Sequence, residues 1–365
     1  MIYLDNAAAT PVRKEVRDVM QPYFSEYYGN PNSLHDLGFQ ANLAMENARD
    51  QIKQILKVDK VIFTASATES INLAFIGLFE QGDHLITTKI EHKAVLNTAQ
   101  FLEEQGVSVT YLDVDKNGLI NLEELENAIT KKTRMISIQY VNNEIGTVQP
   151  MKKIADLANN KGIILHTDAC QAGFMDLNLP IDMITINAAK IYGPKGIGLL
   201  GIRGDINLRP IIFGGEQEDR LRSGTENIPA IIGFAKALEL AQKDKAKYHK
   251  KVIDLRDYFI KEIKSNIRGV KLNGHPKRRV ANNININLGC ESETVLKHLD
   301  KLGIYASSGS ACASNQIQLS HVLQAIGHNE DPGAIRFSLG KDTTKKQLIR
   351  TVKELKKVVS SLRML

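Results

Sequence analysis

The sequence contains only three cysteines, Cys170, Cys290 and Cys312, and no two of them form a CxxC pair. A disulfide framework or a structural zinc site is therefore not expected, which leaves room for one reactive thiol. There is also no uninterrupted apolar run of about 18 residues, as a membrane span would need. The first ten residues, MIYLDNAAAT, do not have the layout of a signal peptide. These absences predict a cytoplasmic protein without a membrane partner.

Tryptophan is absent too, but 43% of the residues are hydrophobic and 24% are charged, as in an ordinary globular protein with a large core. The net charge of +6 is concentrated in residues 341–365, which hold eight basic and two acidic side chains. Apolar residues recur there at steps of four and three residues: Leu348, Val352, Leu355, Val359 and Leu362. This spacing predicts a packed helix with a solvated basic face, and direct nucleic-acid binding is not expected.

Short β-rich runs alternate with helical stretches, as in HLITTK, AVLNTAQFLEEQG and SVTYLDV. The alternation predicts an α/β protein with a largely parallel, buried sheet. From about Ala230 to Ile267 we predict a long helical connector with a break near Lys243–Lys245, followed by a smaller α+β domain.

Polar residues follow the ends of several predicted strands. They are Thr68–Glu69, Glu91–His92, Asn142–Glu144, Asp168 with Gln171, and Lys190. In open α/β sheets, ligands bind at the carboxyl ends of the strands. A lysine at the end of a buried strand is unusual, because a buried ammonium is costly unless it is paired or chemically used. The pattern predicts a functional site at this edge of the sheet.

Residues 113–124, DVDKNGLINLEE, match the calcium-loop pattern of the EF-hand at Asp113, Asp115, Asn117, Gly118, Asn121 and Glu124. An EF-hand loop joins two helices, whereas SVTYLDV before this loop is typical of a strand, and no second copy is present. A turn from strand to helix, with Asn-Gly providing the turn geometry, explains the same residues. We expect no metal site.

Several features together indicate a particular chemistry, although each is ambiguous alone. Asp168 could cap a strand end, His92 could be a half-buried histidine, and Arg336 could bind either a ligand or an internal carboxylate. A pyridoxal phosphate (PLP) enzyme needs a lysine for a Schiff base and an acid for the pyridine nitrogen. It also needs an anion site for the phosphate and an arginine for an amino-acid carboxylate. Lys190, Asp168, the predicted helix start at Thr68, and Arg336 provide one of each.

With these residues in place, the chain resembles the cysteine desulfurases, fold-type I PLP enzymes of the class V aminotransferase superfamily. Ten segments carry the resemblance in family order from Tyr3 to Gly340: YLDNAAAT, YGNPNSLH, FTASATESINLA, EHKAVL, VNNEIGTVQP, HTDACQ, KIYGPKGIG, RSGTEN, SSGSACAS and AIRFSLG. SSGSAC, which is predicted to lie on a long loop, is similar to the corresponding segment of the group I branch. The resemblance implies a large domain of residues 12–245, with a mostly parallel seven-stranded sheet that binds the cofactor. It also implies a small domain of residues 1–11 and 246–365, which carries the cysteine loop.

The resemblance also implies roles for single residues at the cofactor. Lys190 would form the Schiff base and move protons, Asp168 would pair with the pyridinium nitrogen, and Gln171 would donate to the phenolic oxygen. His92 would stack on the ring. Further residues implied to bind the cofactor are Ala67, Thr68, Asn143, Asn187 and, from the partner subunit, Thr225, so that a homodimer is implied.

For the substrate, L-cysteine, the resemblance implies that Asn143 and Arg336 hold the carboxylate. Cys312 would attack the substrate sulfur, leaving a persulfide on the enzyme and releasing alanine. A free thiol has a pKa of about 8.5 and is only a few per cent thiolate at pH 7, so it needs activation. His92 and the substrate amine are the candidates, and His92 is grouped with Lys190 and Cys312 as catalytic.

The chain departs from the family pattern next to the lysine. The family usually has Ser-(Ala/Gly)-His-Lys, whose serine and histidine donate to the phosphate, whereas this chain has Asn187, Ala188 and Ala189 before Lys190. Asn187 can still donate, but the side chain of Ala189 cannot. Ser66 replaces a glycine close to the same phosphate. We expect Ser66 and Asn187 to compensate in part for the missing histidine.

The function implied is an L-cysteine desulfurase that supplies a sulfur-acceptor protein for iron–sulfur cluster assembly or tRNA thiolation. One alternative is another class V PLP enzyme, such as a selenocysteine lyase or an aminotransferase. The other is a weakly PLP-binding scaffold for a sulfur acceptor. Cys312 favours the desulfurase, because a pure aminotransferase needs no thiol. We interpret Cys170 and Cys290 as buried structural residues.

Overall fold

The computed structural model describes residues 1–308, 320–328 and 334–363. Its strands are β1 (Ile2–Tyr3), β2 (Lys60–Thr64), β3 (His84–Thr88), β4 (Ser108–Leu112), β5 (Thr133–Ser137), β6 (Ile164–Asp168), β7 (Met183–Asn187), β8 (Gly198–Ile202), β9 (Lys271–Leu272), β10 (Asn283–Asn287), β11 (Ile304–Tyr305), β12 (Ser307–Ser308) and β13 (Ala334–Ser338). Its helices are α1 (Lys14–Met20), α2 (Pro22–Ser25), α3 (Asp36–Leu56), α4 (Ala67–Ile76), α5 (Lys93–Glu104), α6 (Leu122–Ala128), α7 (Met151–Asn160), α8 (Ile228–Asn266), α9 (Ser292–Lys301), α10 (His321–Ala325) and α11 (Lys345–Leu362). Single turns of 3₁₀ helix cover Ala188–Lys190 and Glu218–Arg220.

Seven strands form the central sheet, in the order β2–β8–β7–β6–β5–β3–β4. β8 is antiparallel to both of its neighbours, and the other six strands are parallel to one another. Alternate residues of each strand face two separate cores, since Val61 and Phe63 of β2 pack in one and Ile62 in the other. Helices α3 and α7 cover the first face, and α4 and α5 cover the second. The predicted mostly parallel seven-stranded α/β fold is confirmed.

The residues after the central sheet build a second, smaller layer. Strands β12, β13, β10 and β9 form an antiparallel sheet, and β1 pairs in parallel with β11. Helices α9 and α11 pack on this part through a third core. In α11, Leu348, Val352, Leu355 and Val359 are buried, so the apolar face predicted for this helix is confirmed.

Helix α8 runs without interruption for 39 residues, so the break predicted near Lys243–Lys245 is wrong. The lysines there are compatible with a helix, because lysine and alanine are good helix formers. The first part of α8, up to Ala241, packs in the core against the central sheet. The second part, from Tyr248, packs in the core of the smaller layer. The predicted boundary between residues 245 and 246 lies inside this helix, and the division into two domains stays a prediction.

None of the helices in the described part of the chain is long and apolar enough to cross a membrane.

Candidate active site

The predicted edge of the central sheet carries polar residues after four parallel strands. Glu91 and His92 follow β3, Asn143 follows β5, Asp168 ends β6, and Lys190 lies one turn beyond β7. These strands are neighbours in the sheet, and their last residues lie at one edge because the strands are parallel. The sheet topology thus brings together residues that are up to 99 positions apart in the sequence.

Lys190 ends a 3₁₀ turn that Asn187 caps, with Asn187 Oδ1 accepting from the backbone N–H of Ala189 at 2.8 Å. The ammonium of Lys190 donates to the carbonyl oxygen of Ala8. Burial lowers the pKa of Lys190 below its ordinary value, and the positive charge of Arg336 lowers it further, while nearby anionic groups act in the opposite direction. A lowered pKa increases the fraction of neutral amine, the form that attacks a carbonyl carbon.

Asp168 is buried, and its two carboxylate oxygens differ in their contacts. Oδ1 accepts from the backbone N–H of Cys170 at 2.9 Å. Among the described residues, no N–H group forms a hydrogen bond with Oδ2, which leaves this oxygen for a partner with an N–H. Gln171, three residues later, donates from Nε2 to the carbonyl oxygen of Ala7 at 3.0 Å.

His92 is the N-cap of α5, and its Nδ1 accepts from the backbone N–H of Ala94 at 3.1 Å. In the neutral ring the proton is therefore on Nε2. Burial lowers the pKa of His92, and the positive charges of Lys190 and His321 also lower it, whereas Asp168 raises it. His92 is consequently uncharged at neutral pH.

The N-terminus of α4 presents unpaired donors next to β8. Ser66 caps the helix by accepting from the N–H of Glu69 at 3.2 Å, and no acceptor within the described ranges pairs with the N–H of Ala67 or Thr68. A Cβ atom at Gly198 would lie 2.5 Å from the carbonyl carbon of Ser66, so only glycine allows this close packing. Gly198 is also the register partner of Asn187. Helix dipole and free N–H groups make this corner suited to a phosphate group.

Arg336 lies on β13 of the smaller layer and reaches toward the same edge. Its Nη1 donates to the carbonyl oxygen of Asn143 at 3.0 Å, and its Nη2 donates to Asp5 Oδ1 at 3.0 Å. Its Nε is buried and has no acceptor in the part of the chain that the structure describes. Asn143 also accepts at Oδ1 from Gln139 Nε2, at 3.3 Å. The sequence allowed Arg336 to bind either an internal carboxylate or a ligand. The structure is compatible with both, since the guanidinium has an internal carboxylate partner and donors left for a ligand.

Comparison with known proteins agrees with this geometry. The sequence model of the class V aminotransferase family matches residues 2–350. A curated protein named "Cysteine desulfurase IscS" from Dictyoglomus turgidum is 44% identical over 375 residues, which cover 99% of this chain and 95% of that protein. The chain belongs to the cysteine desulfurase family. Another relative of the same name, from Methanosarcina thermophila, is 42% identical over 99% of this chain and 93% of its own.

Solved structures place the chain in the same family. A "NifS-like protein" superposes with a TM-score of 0.92 at 36% identity, covering 99% of this chain and all of its own. A structure titled "SspA in complex with cysteine" has a TM-score of 0.79 at 36% identity and covers 93% of this chain and 99% of its own. Members of the cysteine desulfurase family use PLP. The amine of Lys190, the open Oδ2 of Asp168 and the unpaired N–H groups of α4 fit this cofactor.

For two residues that the desulfurase resemblance singled out, Thr225 and Cys312, the implied roles stay predictions. Thr225 is exposed and lines a cavity of about 260 Å³ together with Ala65 and Gly196, close to the start of α4. Its predicted contact with the phosphate of a second chain stays a prediction. Cys312 lies outside the described residues, so its position relative to Lys190 is likewise a prediction.

Two carboxylates at the desulfurase site have no role in the sequence interpretation. Asp5, in YLDNAAAT, pairs with Arg336 although 331 positions separate them. Glu91 is 1% exposed, and its Oε1 accepts from Thr88 Oγ1 and from the N–H of Gln139, both at 2.9 Å. Burial raises the pKa of Glu91 to about 8, so this carboxyl is mostly protonated at neutral pH. Glu91 is among the polar residues that follow the predicted strands, but its burial results from the packing of the folded chain.

The two cysteines outside the predicted loop differ from each other. Cys170 is buried, as predicted, and burial raises the pKa of its thiol well above the ordinary value. Cys290 is only half-buried, so the prediction that both are buried is wrong for this one. It lies between β10 and α9, on a connection at the surface of the smaller layer.

Proposed function

We propose that this chain is a PLP-dependent L-cysteine desulfurase that converts L-cysteine to L-alanine and passes the sulfur to an acceptor protein. This proposal rests mainly on the position of the Lys190 amine, the Asp168 carboxylate and the Arg336 guanidinium, which all lie at one edge of the central sheet. The 44% identity to a curated cysteine desulfurase over nearly the whole chain supports this substrate.

The cofactor-binding roles follow from the contacts of each residue. Lys190 Nζ would hold PLP covalently, Asp168 Oδ2 would accept from the pyridinium nitrogen, and Gln171 would donate to the phenolic oxygen. His92, uncharged, would stack on the ring. The phosphate would lie against the N–H groups of Ala67 and Thr68, at the positive end of α4.

The same corner contains the three residues by which the chain departs from its family: Ser66, Asn187 and Ala189. The hydroxyl of Ser66 accepts from Glu69, so its own O–H is left to donate. Asn187 Oδ1 accepts from the N–H of Ala189 in the 3₁₀ turn, and the amide N–H₂ of Asn187 is left to donate. Both donors would compensate in part for the histidine that Ala189 replaces.

Bound PLP supplies an electron sink that makes the bonds at the substrate α-carbon labile. Arg336 and Asn143 would hold the substrate carboxylate, and Lys190 Nζ would remove and return the protons at the substrate carbons. The thiol of Cys312 would attack the substrate sulfur. The carbon–sulfur bond breaks, a sulfur–sulfur bond forms on Cys312, and the remaining carbon skeleton leaves as alanine.

Exposed apolar side chains on the part of the chain that contains the central sheet support a homodimer. Large apolar side chains are exposed in α2, in α3 and in the segment between them: Phe24, Tyr27, Tyr28, Leu34, Leu37, Phe39 and Leu43. Phe213, close in sequence to Thr225, is 83% exposed. Exposed apolar surface of this extent is typical of an interface. We propose that a second copy covers it and brings its own Thr225 to the phosphate.

The acceptor would be a protein of iron–sulfur cluster assembly or tRNA thiolation. Both pathways start from a protein-bound persulfide, which the Cys312 chemistry provides.

The decisive experiment follows the sulfur and the alanine together. The holoenzyme is incubated with L-cysteine, alanine is quantified, and mass spectrometry is used to look for one extra sulfur atom on Cys312. We expect both products in the wild type, neither in Lys190→Ala, and no persulfide in Cys312→Ala. Cys290→Ala is the matched control and should behave as the wild type. Full sulfide release by Cys312→Ala would exclude the proposed persulfide route, and alanine without sulfur transfer would favour another class V enzyme.

A further inference from the structure

Arg336, the proposed anchor for the substrate carboxylate, is already paired with a carboxylate of its own chain. The Asp5 side chain lies 3.0 Å from Arg336 Nη2, and the two side chains are 21% and 7% exposed. A guanidinium has five N–H donors, and the bonds to Asp5 and Asn143 use two of them. The buried Nε has no acceptor among the described residues, so it and the other unused N–H groups are left for a second carboxylate.

The backbone around Asp5 is held independently of its side chain. The carbonyl oxygen of Asp5 accepts from the hydroxyl of Tyr3 and from the N–H of Ala8, both at 3.1 Å. Asp5 also forms a bridge with Ser338 on β13, the strand that carries Arg336. A change of the Asp5 side chain therefore leaves this segment anchored.

The orientation of Arg336 is likewise held by more than Asp5. Arg336 is paired in register with Asn285 on one side and Ser307 on the other, and its Nη1 donates to Asn143. What Asp5 adds is a negative charge beside a guanidinium that is mostly removed from water. A buried charge without a counter-ion is strongly unfavourable.

We propose that Asp5 is the resident counter-ion of Arg336 and a positioning residue that sets the affinity of the site for α-carboxylates. Asp5 stabilises the empty site by neutralising Arg336. An incoming carboxylate has to share the guanidinium with Asp5, and the two anions repel each other. Asp5 therefore weakens the binding of substrate and product alike, which favours the release of alanine. This inference rests on the proposed function.

The test compares two ligands that differ only in a carboxylate. L-alanine and ethylamine are titrated into the wild-type holoenzyme and into Asp5→Asn, and the visible absorbance of the bound PLP is followed. In the variant, the Kd of alanine should fall by about tenfold or more, and that of ethylamine should change less than about twofold. The KM for L-cysteine should fall as well, without an increase in kcat. A general structural defect would not strengthen binding of the carboxylate ligand alone.

Further variants show whether the effect acts through Arg336. Asp5→Ala, which also removes the acceptor, should tighten alanine binding too. In an Arg336→Gln background, Asp5→Asn should bring no tightening. Asp18→Asn, which removes an exposed carboxylate of α1, is the matched control and should leave both constants unchanged. Unchanged or weaker alanine binding in both Asp5 variants would overturn this inference and leave the proposed function standing. A wild-type holoenzyme that does not respond to alanine would overturn both.

Discussion

The buried carboxyl of Glu91 gives a prediction about stability and pH. The pKa of Glu91 is about 8 in the folded chain, against an ordinary value of 4.5, and burial is the main cause. We expect Glu91→Gln to remove this titration while keeping the shape of the side chain. The amide oxygen can still accept from Thr88 and Gln139, and the amide N–H₂ replaces the protonated oxygen.

The sign of the effect follows from proton binding. Below pH 4.5 the carboxyl is protonated in both the folded and the unfolded chain. Between pH 4.5 and about 8 the unfolded chain loses this proton and the folded chain keeps it, so the free energy of unfolding falls as the pH rises. Above about pH 8 both states are ionised and the effect levels off. From about pH 6 to about pH 9, Glu91 should account for a loss of roughly 3 kcal/mol.

The assay is urea unfolding of the holoenzyme at about pH 6 and about pH 9, at fixed protein and PLP concentrations. The free-energy difference between Glu91→Gln and the wild type should shift in favour of the variant by roughly 3 kcal/mol over this range. Glu80→Gln, at a side chain that is 74% exposed, is the control and should show no such shift. A difference that stays constant with pH would show that Glu91 is already ionised in the folded chain, and the reasoning would fail.

Two further predictions concern the phosphate corner and a buried ion pair. Ala189→His should bind PLP about ten- to a hundredfold more tightly by equilibrium dialysis of the apoenzyme, because it adds a donor to a charged group; unchanged affinity would mean that Ser66 and Asn187 already satisfy the phosphate. Arg49→Met should lower the free energy of unfolding by about 3–5 kcal/mol, since Arg49 pairs through Nη1 and Nη2, at 2.8 and 2.9 Å, with a Glu218 side chain that is 2% exposed. The exposed pair of Arg220 and Glu216 supplies the control, because Arg220→Met should cost less than about 1 kcal/mol. Equal losses in the two arginine variants would contradict the role of burial.

The sequence predicts the part of the site that depends on local pattern. Asp168 ends the apolar strand β6, and Lys190 follows the apolar strand β7 after one 3₁₀ turn. A parallel sheet brings such strand ends to one edge, so the strand pattern predicts that the two residues lie at the same edge. The start of α4 is also predicted, since the expected helix start at Thr68 is one residue from the observed start at Ala67. Both predictions require only the alternation of apolar strands with helices in the sequence and the known preference of anions for helix N-termini.

Contacts between distant segments cannot be predicted in this way. Asp5 meets Arg336 because β1 pairs with β11 and the N-terminal segment then passes beside β13, and no local pattern contains this pairing. Glu91 is next to His92 in the sequence, yet its raised pKa depends on burial that the surrounding strands and helices create. The predicted break in α8 is wrong for a related reason. Lys243 and Lys245 interrupt the apolar pattern of the local sequence, which is the basis of the predicted break. Lysine is nevertheless a good helix former, and packing of α8 in two hydrophobic cores keeps the helix continuous.

The continuity of α8 has a consequence for how the chain melts. Its first part is embedded in one hydrophobic core and its second part in another, within a single rod of about 58 Å at the usual helical rise. Loss of either core would leave half of this rod without apolar contacts, and an isolated half-helix is only marginally stable in water. The two layers should therefore lose their structure in one cooperative transition, and a calorimetric trace should contain a single peak.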